Sequence, residues 1–167
     1  MMPSQSPRAN TPTCAARSRS GRRLKMAEQR FEKTLTANDT GRSRSHQAGI
    51  HVPKTQRDLI AFLPPLDAET LNPSVWLTAR DEDGTTWRLR YIHYNNRLHS
   101  PKGTRNEFRI THLTAYFRAA GAGPGDRMMI SGEPGSGQIR ISVVAENMTG
   151  GGPKARTVRL RGWRRLH

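Results

Sequence analysis

The chain of 167 residues has room for one domain of ordinary size with tails, and only 34% of its residues are hydrophobic. Its net charge of +15, from 28 Lys and Arg against 13 Asp and Glu, indicates a polyanionic partner, either nucleic acid or an acidic membrane surface. A lone cysteine, Cys14, excludes an internal disulfide, and no apolar run reaches the length of a membrane span. We therefore expect a cytoplasmic protein that does not enter a membrane.

Most of the charge lies in two segments that contain no acidic residue. Residues 1–25 and 150–167 carry six basic residues each, which leaves 16 (28 minus 12) in the middle against all 13 acids. Both segments are predicted to be disordered basic tails around one domain of residues 26–149. An alternative interpretation of the N-terminal segment places the start codon at Met26, where the composition changes.

The first half of the domain contains one strand, one loop and one helix in its sequence pattern. Residues 31–37 alternate as a strand does, and the strand ends at the turn-forming sequence NDTG. Residues 45–54, SHQAGIHVPK, have neither helical nor strand periodicity and are predicted to be a loop. Apolar residues at 59, 60, 62 and 63 predict a short helix that two prolines terminate.

Two hairpins account for most of the second half. Residues 74–94 alternate on both sides of the turn sequence DEDG, and residues 126–146 do so around EPGSG. Between the hairpins lie a second irregular basic loop (95–105), a short strand (106–111) and a short helix with Gly121 as its C-cap. Many short strands without βαβ rhythm predict a mainly β, barrel-like fold of mixed topology with short helices.

Recognisable catalytic patterns are missing from the sequence. The glycines of GAGPGDR lack the Lys-Ser/Thr pair of a phosphate-binding P-loop. The histidine pairs 46/51 and 93/99 lack the spacing of a helical metal site, and the acids do not form the cluster that holds Mg²⁺ in nucleases. We expect no catalytic residues, no metal, no cofactor and no small-molecule substrate.

Two basic segments carry the residue types that read base edges. Arg and Lys bond guanine, Gln bonds adenine, and Glu accepts from cytosine. Residues 84–118 hold seven basic residues and one acid, Glu107, which stands between Arg105 and Arg109. Composition leaves open whether Glu107 reads a base or forms an ordinary surface ion pair. The other segment, residues 40–57, has no acid and contains His46, Gln47, His51 and Lys54.

The sequences LTANDTGRSRSHQAGIHVPK and YIHYNNRLHSPKGTRNEFRIT closely resemble the N-terminal effector-binding domain of EcoRII-type restriction endonucleases. The resemblance covers roughly residues 28–146 and implies a DNA-binding pseudobarrel, the fold also used by plant auxin-response and abscisic-acid transcription factors. AYFRAAGAGPGDRMMI fits the helix-turn-strand segment of the same fold.

The resemblance also implies two loop-bearing arms that enter the major groove of double-stranded DNA from either side. The first arm corresponds to residues 46–51, HQAGIH, and the second arm to residues 102–109, KGTRNEFR. The family's basic residue aligns on Lys102 or one place along, on Gly103. The DNA-binding residues implied by these segments are His46, Gln47, His51, Lys54, Lys102, Arg105, Glu107 and Arg109.

The leading functional hypothesis is sequence-specific binding of double-stranded DNA, as an effector or recognition domain without its own nuclease centre. One alternative is the recognition subunit of a split restriction-modification system, partnered with a separately encoded endonuclease. Another is a non-specific basic protein that binds RNA or DNA through its tails. Competition against excess random duplex distinguishes a specific reader from the non-specific protein.

Overall fold

Strands dominate the domain. The computed structural model describes residues 27–41, 49–146 and 162–167, so the N-terminal tail predicted for residues 1–25 lies outside the described residues. The described part contains eight strands and three short helices. In chain order they are β1 (Gln29–Thr34), β2 (Ile50–Val52), α1 (Arg57–Phe62), β3 (Ser74–Arg80), β4 (Thr86–Tyr94), α2 (Asn96–His99), β5 (Glu107–Thr111), α3 (Thr114–Ala119), β6 (Arg127–Gly132), β7 (Gln138–Val144) and β8 (Trp163–Leu166).

All eight strands belong to one sheet, in the order β2-β5-β4-β3-β7-β6-β1-β8. Six of the seven neighbouring pairs are antiparallel, and β3 runs parallel to β7. The sheet curls until its two edge strands, β2 and β8, come within hydrogen-bonding reach of each other. This arrangement confirms the mainly β pseudobarrel with mixed strand directions.

The barrel is closed by the side chain of Trp163, which lies in β8 and is buried. Its indole N–H donates to the carbonyl oxygen of His51 in β2 at 2.9 Å. The Gln56 side-chain amide donates to the Trp163 carbonyl oxygen at 3.1 Å. Side-chain bonds thus replace the backbone ladder that would complete a continuous barrel.

Strand β8 corrects the prediction that residues 150–167 form a disordered tail. Residues 163–166 pair with β1 in antiparallel register, and Arg164 forms an ion pair with the buried Glu32 at 2.7 Å. Backbone hydrogen bonds to β1 and burial of the Trp163 indole stabilise this strand, although its composition is that of a basic tail. Residues 147–161 lie outside the described residues.

Alternation along β3 and β4 places Leu77, Ala79, Leu89 and Tyr91 inside the barrel and mostly polar side chains outside, with Trp76 exposed on the outer face. The core includes Leu77, Ala79, Leu89 and Tyr91 from these two strands. Burying a large apolar side chain contributes roughly 1.5–3 kcal/mol. The predicted helix at residues 59–63 is confirmed as α1, whose Phe62 ring lies 5.1 Å from that of Phe31.

Both predicted irregular loops contain short regular elements. Ile50–Val52 is a strand in the segment that was expected to be a loop, because Ile50 and Val52 are buried and pair with β5. Asn96–His99 is a helical turn, α2, in the second loop. It is anchored by Asn95, whose buried side-chain amide donates to the carbonyl oxygens of Ala68 and Thr70 at 3.1 and 2.9 Å.

No helix among the described residues is both long enough and apolar enough to cross a bilayer.

Candidate nucleic-acid interface

The described parts of both arms meet on the outer face of three neighbouring strands. In the sheet register His51 of β2 is opposite Arg109 of β5, and Glu107 is opposite Tyr94 of β4. Ile50 and Val52 point into the core, so alternation turns the His51 side chain outward, where it is exposed. The fold thus brings three predicted site residues from sequence positions 51 to 109 onto one surface.

Glu107 lies at the centre of a charged cluster in the second arm. Its Oε1 accepts two hydrogen bonds from Arg105, at 2.6 and 3.0 Å, and one from Arg109 Nε at 3.2 Å. Partial burial raises the pKa of Glu107, but the hydrogen bonds from Arg105 and Arg109 outweigh it, so the pKa falls below its usual value. Glu107 is therefore ionised at neutral pH.

Arg105 is held from two sides. Its guanidinium lies 3.7 Å from the centroid of the Tyr94 ring, a cation–π contact, while the same group bonds Glu107. The backbone of the loop closes around it, because Arg105 N donates to Asn96 Oδ1 at 2.7 Å and Arg97 N donates to the Arg105 carbonyl at 3.1 Å. These contacts fix the orientation of the guanidinium before any ligand arrives.

Arg109 links the second arm to the first. Its side chain is only 8% exposed, and Nη1 is 3.5 Å from the carbonyl oxygen of Gly49. Gly49 has φ +132°, and a Cβ there would lie 2.8 Å from the Ile110 carbonyl oxygen. Only glycine allows the backbone to approach β5 this closely, so Gly49 packs the end of the first arm against β5.

A second connection between the arms runs through Asn106. Its Oδ1 accepts hydrogen bonds from Lys54 Nζ and from His93 Nε2, the latter at 2.9 Å. The His93 ring stacks on Phe108 with centroids 4.0 Å apart. Lys54 stands two residues after the end of β2, so Asn106 joins the segment that follows the first arm to His93 of β4.

The imidazole of His51 is neutral at pH 7. Burial lowers its pKa, the charge on Glu107 raises it, and the charges of Arg109 and Lys33 lower it, with a net shift below the usual value. A neutral imidazole offers one donor nitrogen and one acceptor nitrogen to a ligand.

The remaining predicted site residues divide into two groups. His46 and Gln47 lie outside the described residues. Lys102 is exposed in the loop before β5. A Cβ on the neighbouring Gly103 would lie 2.1 Å from the Asn96 carbonyl oxygen, so a side chain at that position would displace α2. Lys102 therefore offers the basic side chain at this point of the loop.

The family model for the N-terminal domain of restriction endonuclease EcoRII matches residues 26–120, which is more than half of the chain. The chain belongs to this family. The type II restriction enzyme EcoRII of Escherichia coli is 44% identical over 94 residues, which cover 53% of this chain and 22% of that enzyme. The suspected resemblance to EcoRII-type N-terminal domains is thereby confirmed.

Plant proteins are also similar to this family member. Auxin response factors 3 and 14 of Oryza sativa subsp. japonica are each 43% identical over 63 residues. Those matches cover 38% of this chain and 8% of each auxin response factor. The chain therefore spans well under two thirds of the length of these relatives and of EcoRII.

Sequence reasoning missed several residues that shape this candidate site. Asn106 lies within the predicted second arm and Tyr94 is opposite its Glu107, so an amide and an aromatic side chain were visible signals. Sequence reasoning weighed His93 as a metal ligand and as a position in the predicted hairpin, but not as a partner of Asn106. The described residues contain no group of three or more His, Cys, Asp or Glu side chains placed to hold a metal. Trp163 lay in a segment assigned to a tail, and no local pattern links it to His51.

Proposed function

We propose that this domain binds double-stranded DNA sequence-specifically, with its two arms in the major groove. Membership of the EcoRII N-terminal family and the pseudobarrel fold support DNA binding. The observation that carries the proposal is the preorganised Arg105–Glu107–Arg109 cluster on the outer face of β5. A surface that served charge attraction alone would gain nothing from a carboxylate held ionised between two arginines.

Each member of the cluster has a distinct proposed role. Both arginines bond Oε1 of Glu107, and within the described part of the chain Oε2 accepts no hydrogen bond, so Oε2 would accept from cytosine N4. Arg105 is one-third exposed and would donate to guanine from the side of its guanidinium that does not face Glu107. Arg109 is nearly buried and would act mainly by holding Glu107 and the Gly49 backbone.

The remaining candidates would contact bases or phosphates around this centre. Neutral His51 would donate or accept at a base edge. Lys54 bonds Asn106 just before β5, and Lys102 is in the loop that leads into β5. Both are exposed cations and would contact phosphates, as would His46 and Gln47 of the first arm. We propose that the domain works as an effector or recognition module of an EcoRII-like system and contains no nuclease centre of its own.

The decisive experiment is selection of bound duplexes from a random pool, followed by competition binding of the selected site against random duplex. We expect enrichment of one short site and retention of affinity in excess random duplex. Glu107→Gln and Arg105→Ala should each reduce specific affinity by about 5- to 150-fold, which corresponds to ~1–3 kcal/mol, and relax preference at one base pair.

Arg118→Ala is the matched control, because Arg118 is an exposed arginine on α3 and belongs to neither arm. It should leave the base preference of the protein unchanged. Binding of every duplex with equal affinity, or equal effects of Arg105→Ala and Arg118→Ala on specific and random duplex, would favour a non-specific basic protein. Site-specific cleavage with Mg²⁺ that persists through repeated purification would refute the absence of a nuclease centre.

A further inference from the structure

Beside the second arm, the outer face of β3 and β4 carries an aromatic and basic surface that the proposed base contacts do not use. We call Trp76, Arg88, Arg90 and His112 the arginine–tryptophan patch. In the sheet register Trp76 is opposite Arg90, and Arg90 is opposite Thr111, the residue before His112. Arg88 is opposite Thr78, one step further along the same face.

The patch is continuous with the proposed interface. Arg90 precedes Ile92 by two residues on β4, and Ile92 is opposite Arg109. Two residues of a strand span about 6.6–6.8 Å, so Arg90 lies on the same face within one side-chain length of the Glu107 cluster. A duplex held by the arms would extend past that cluster in both directions, because a specific site occupies only part of its length.

Trp76 is exposed and holds its neighbours in place. Its side chain is 47% exposed, the Arg88 guanidinium lies 4.9 Å from its ring centroid, and the His112 ring meets its edge at 5.0 Å. His112 has φ +67°, a left-handed conformation that few non-glycine residues adopt, and Thr111 Oγ1 lies 3.0 Å from its Nδ1. The ring pair therefore orients Arg88 outward along the face of the sheet.

The arginines of the patch differ in charge balance from most others in the domain. Arg30, Arg105, Arg109, Arg127, Arg140, Arg164 and Arg165 each form an ion pair with a carboxylate. Arg88 and Arg90 form none with any described acid, although the sequence places three acids in the turn of the same hairpin. Two uncompensated guanidinium groups on one face are complementary to a row of phosphates.

We propose that the arginine–tryptophan patch binds the phosphate backbone of the duplex beside the specific site, with Trp76 orienting Arg88. This inference rests on the proposed function, since it assumes a duplex held by the arms. The patch would add affinity without base preference, because phosphates carry no sequence information. An acidic protein would be the other partner for such charge, and the continuity with the arms favours DNA.

Intrinsic fluorescence gives a direct test, because Trp76 is the exposed member of the three tryptophans, while Trp87 is half-buried and Trp163 is buried. A duplex containing the selected site with long flanks should change the emission of the wild-type protein. A duplex trimmed to the site should change it much less. In Trp76→Phe the flank-dependent change should vanish. An identical response to both duplexes, or a response that survives in Trp76→Phe, would overturn the proposal.

Salt dependence tests the arginines. The double variant Arg88→Ala/Arg90→Ala should lower the slope of log affinity against log salt by about two units, since each phosphate contact contributes about 0.9. Its base preference in competition should match wild type. Arg118→Ala should leave the slope unchanged: it is exposed on α3, which packs through Tyr116 against Trp87 on the opposite face of β4.

The outcomes separate this inference from the proposed function. Wild-type discrimination between specific and random duplex, together with an unchanged salt slope in the double variant, would refute the patch alone. Failure of the wild-type protein to discriminate would refute the proposed function and this inference with it. If the double variant does not fold, as judged by its melting curve, Arg88→Gln and Arg90→Gln are measured singly and should each lower the slope by about one unit.

Discussion

The two arms are held in place by different means. The second arm is fixed by its own neighbours: Arg105, Glu107 and Arg109 stand two residues apart, and β5 pairs with strands on both sides. The first arm returns through β2, a strand of three residues at the edge of the sheet, whose free side is met by Trp163. The comparison teaches that local sequence encodes the geometry of one arm, while the other depends on a residue 112 positions away.

The largest expected effect comes from removing that distant support. Trp163→Ala deletes a buried indole and its hydrogen bond to His51, so we expect the free energy of unfolding to fall by about 3–5 kcal/mol. Denaturant unfolding measures the change. Trp76→Ala is the matched control, because Trp76 is half exposed; its loss should cost less than about 1 kcal/mol. Equal losses in the two variants would show that β8 does not support the first arm.

The next effect lies where the two arms touch. Gly49→Ala forces a side chain into a left-handed conformation with its Cβ 2.8 Å from the Ile110 carbonyl oxygen, and it should cost roughly 1–3 kcal/mol. Gly41→Ala is the comparison at another glycine with positive φ, +71°, where nothing lies within 4 Å of the added Cβ. The difference in unfolding free energy between the two variants reports the combined cost of the steric clash and of the more extreme φ of +132° at Gly49. If Gly41→Ala is at least as destabilising, the close packing of Gly49 on β5 has no energetic role.

Features that depend on neighbouring residues could be predicted from the sequence, whereas features that depend on distant residues could not. Strict alternation marked the β3–β4 hairpin, apolar spacing marked α1, and the charge pattern marked the Glu107 cluster, because in each case the informative residues are neighbours. Strand β2 is too short to show alternation. Asn95, with partners 25 and 27 residues away, and Trp163 act through long-range contacts that no local period contains. The residue types were visible in both cases, but their partners were not.

A smaller effect concerns the cluster of the second arm itself. The pKa of Glu107 is depressed in the folded protein, so the unfolded state takes up its proton first as the pH falls. The stability contributed by ionised Glu107 is therefore present above its ordinary value of 4.5 and is lost as the pH falls through the lower folded value. The pairs are partly exposed, so Arg105→Ala should cost no more than about 1 kcal/mol at pH 7.

Chemical denaturation between pH 7 and pH 3 measures this dependence. Glu107→Gln should flatten the acid limb of the wild-type profile, whereas Glu69→Gln, an exposed acid without an ion pair among the described residues, should reproduce the wild-type profile. Identical acid limbs in wild type and Glu107→Gln would mean that the cluster does not stabilise the fold.

The smallest expected effect measures the electrostatic interaction between Glu107 in the second arm and His51 in the first arm. Burial lowers the pKa of His51 in the first arm, and the negative charge of Glu107 in the second arm partly raises it again. An NMR titration of the His51 imidazole should therefore have its midpoint below the ordinary value of 6.5. Removing the carboxylate charge in Glu107→Gln withdraws the favourable interaction with the protonated imidazole, so the midpoint should move lower still.

The sign of the shift is informative, because loosening of the first arm would expose His51 and move the midpoint upward, toward 6.5. An upward shift in Glu107→Gln would mean that Glu107 acts on His51 by holding β2 against β5, whereas a downward shift would mean that it acts through its charge across a β2–β5 pair that stays intact.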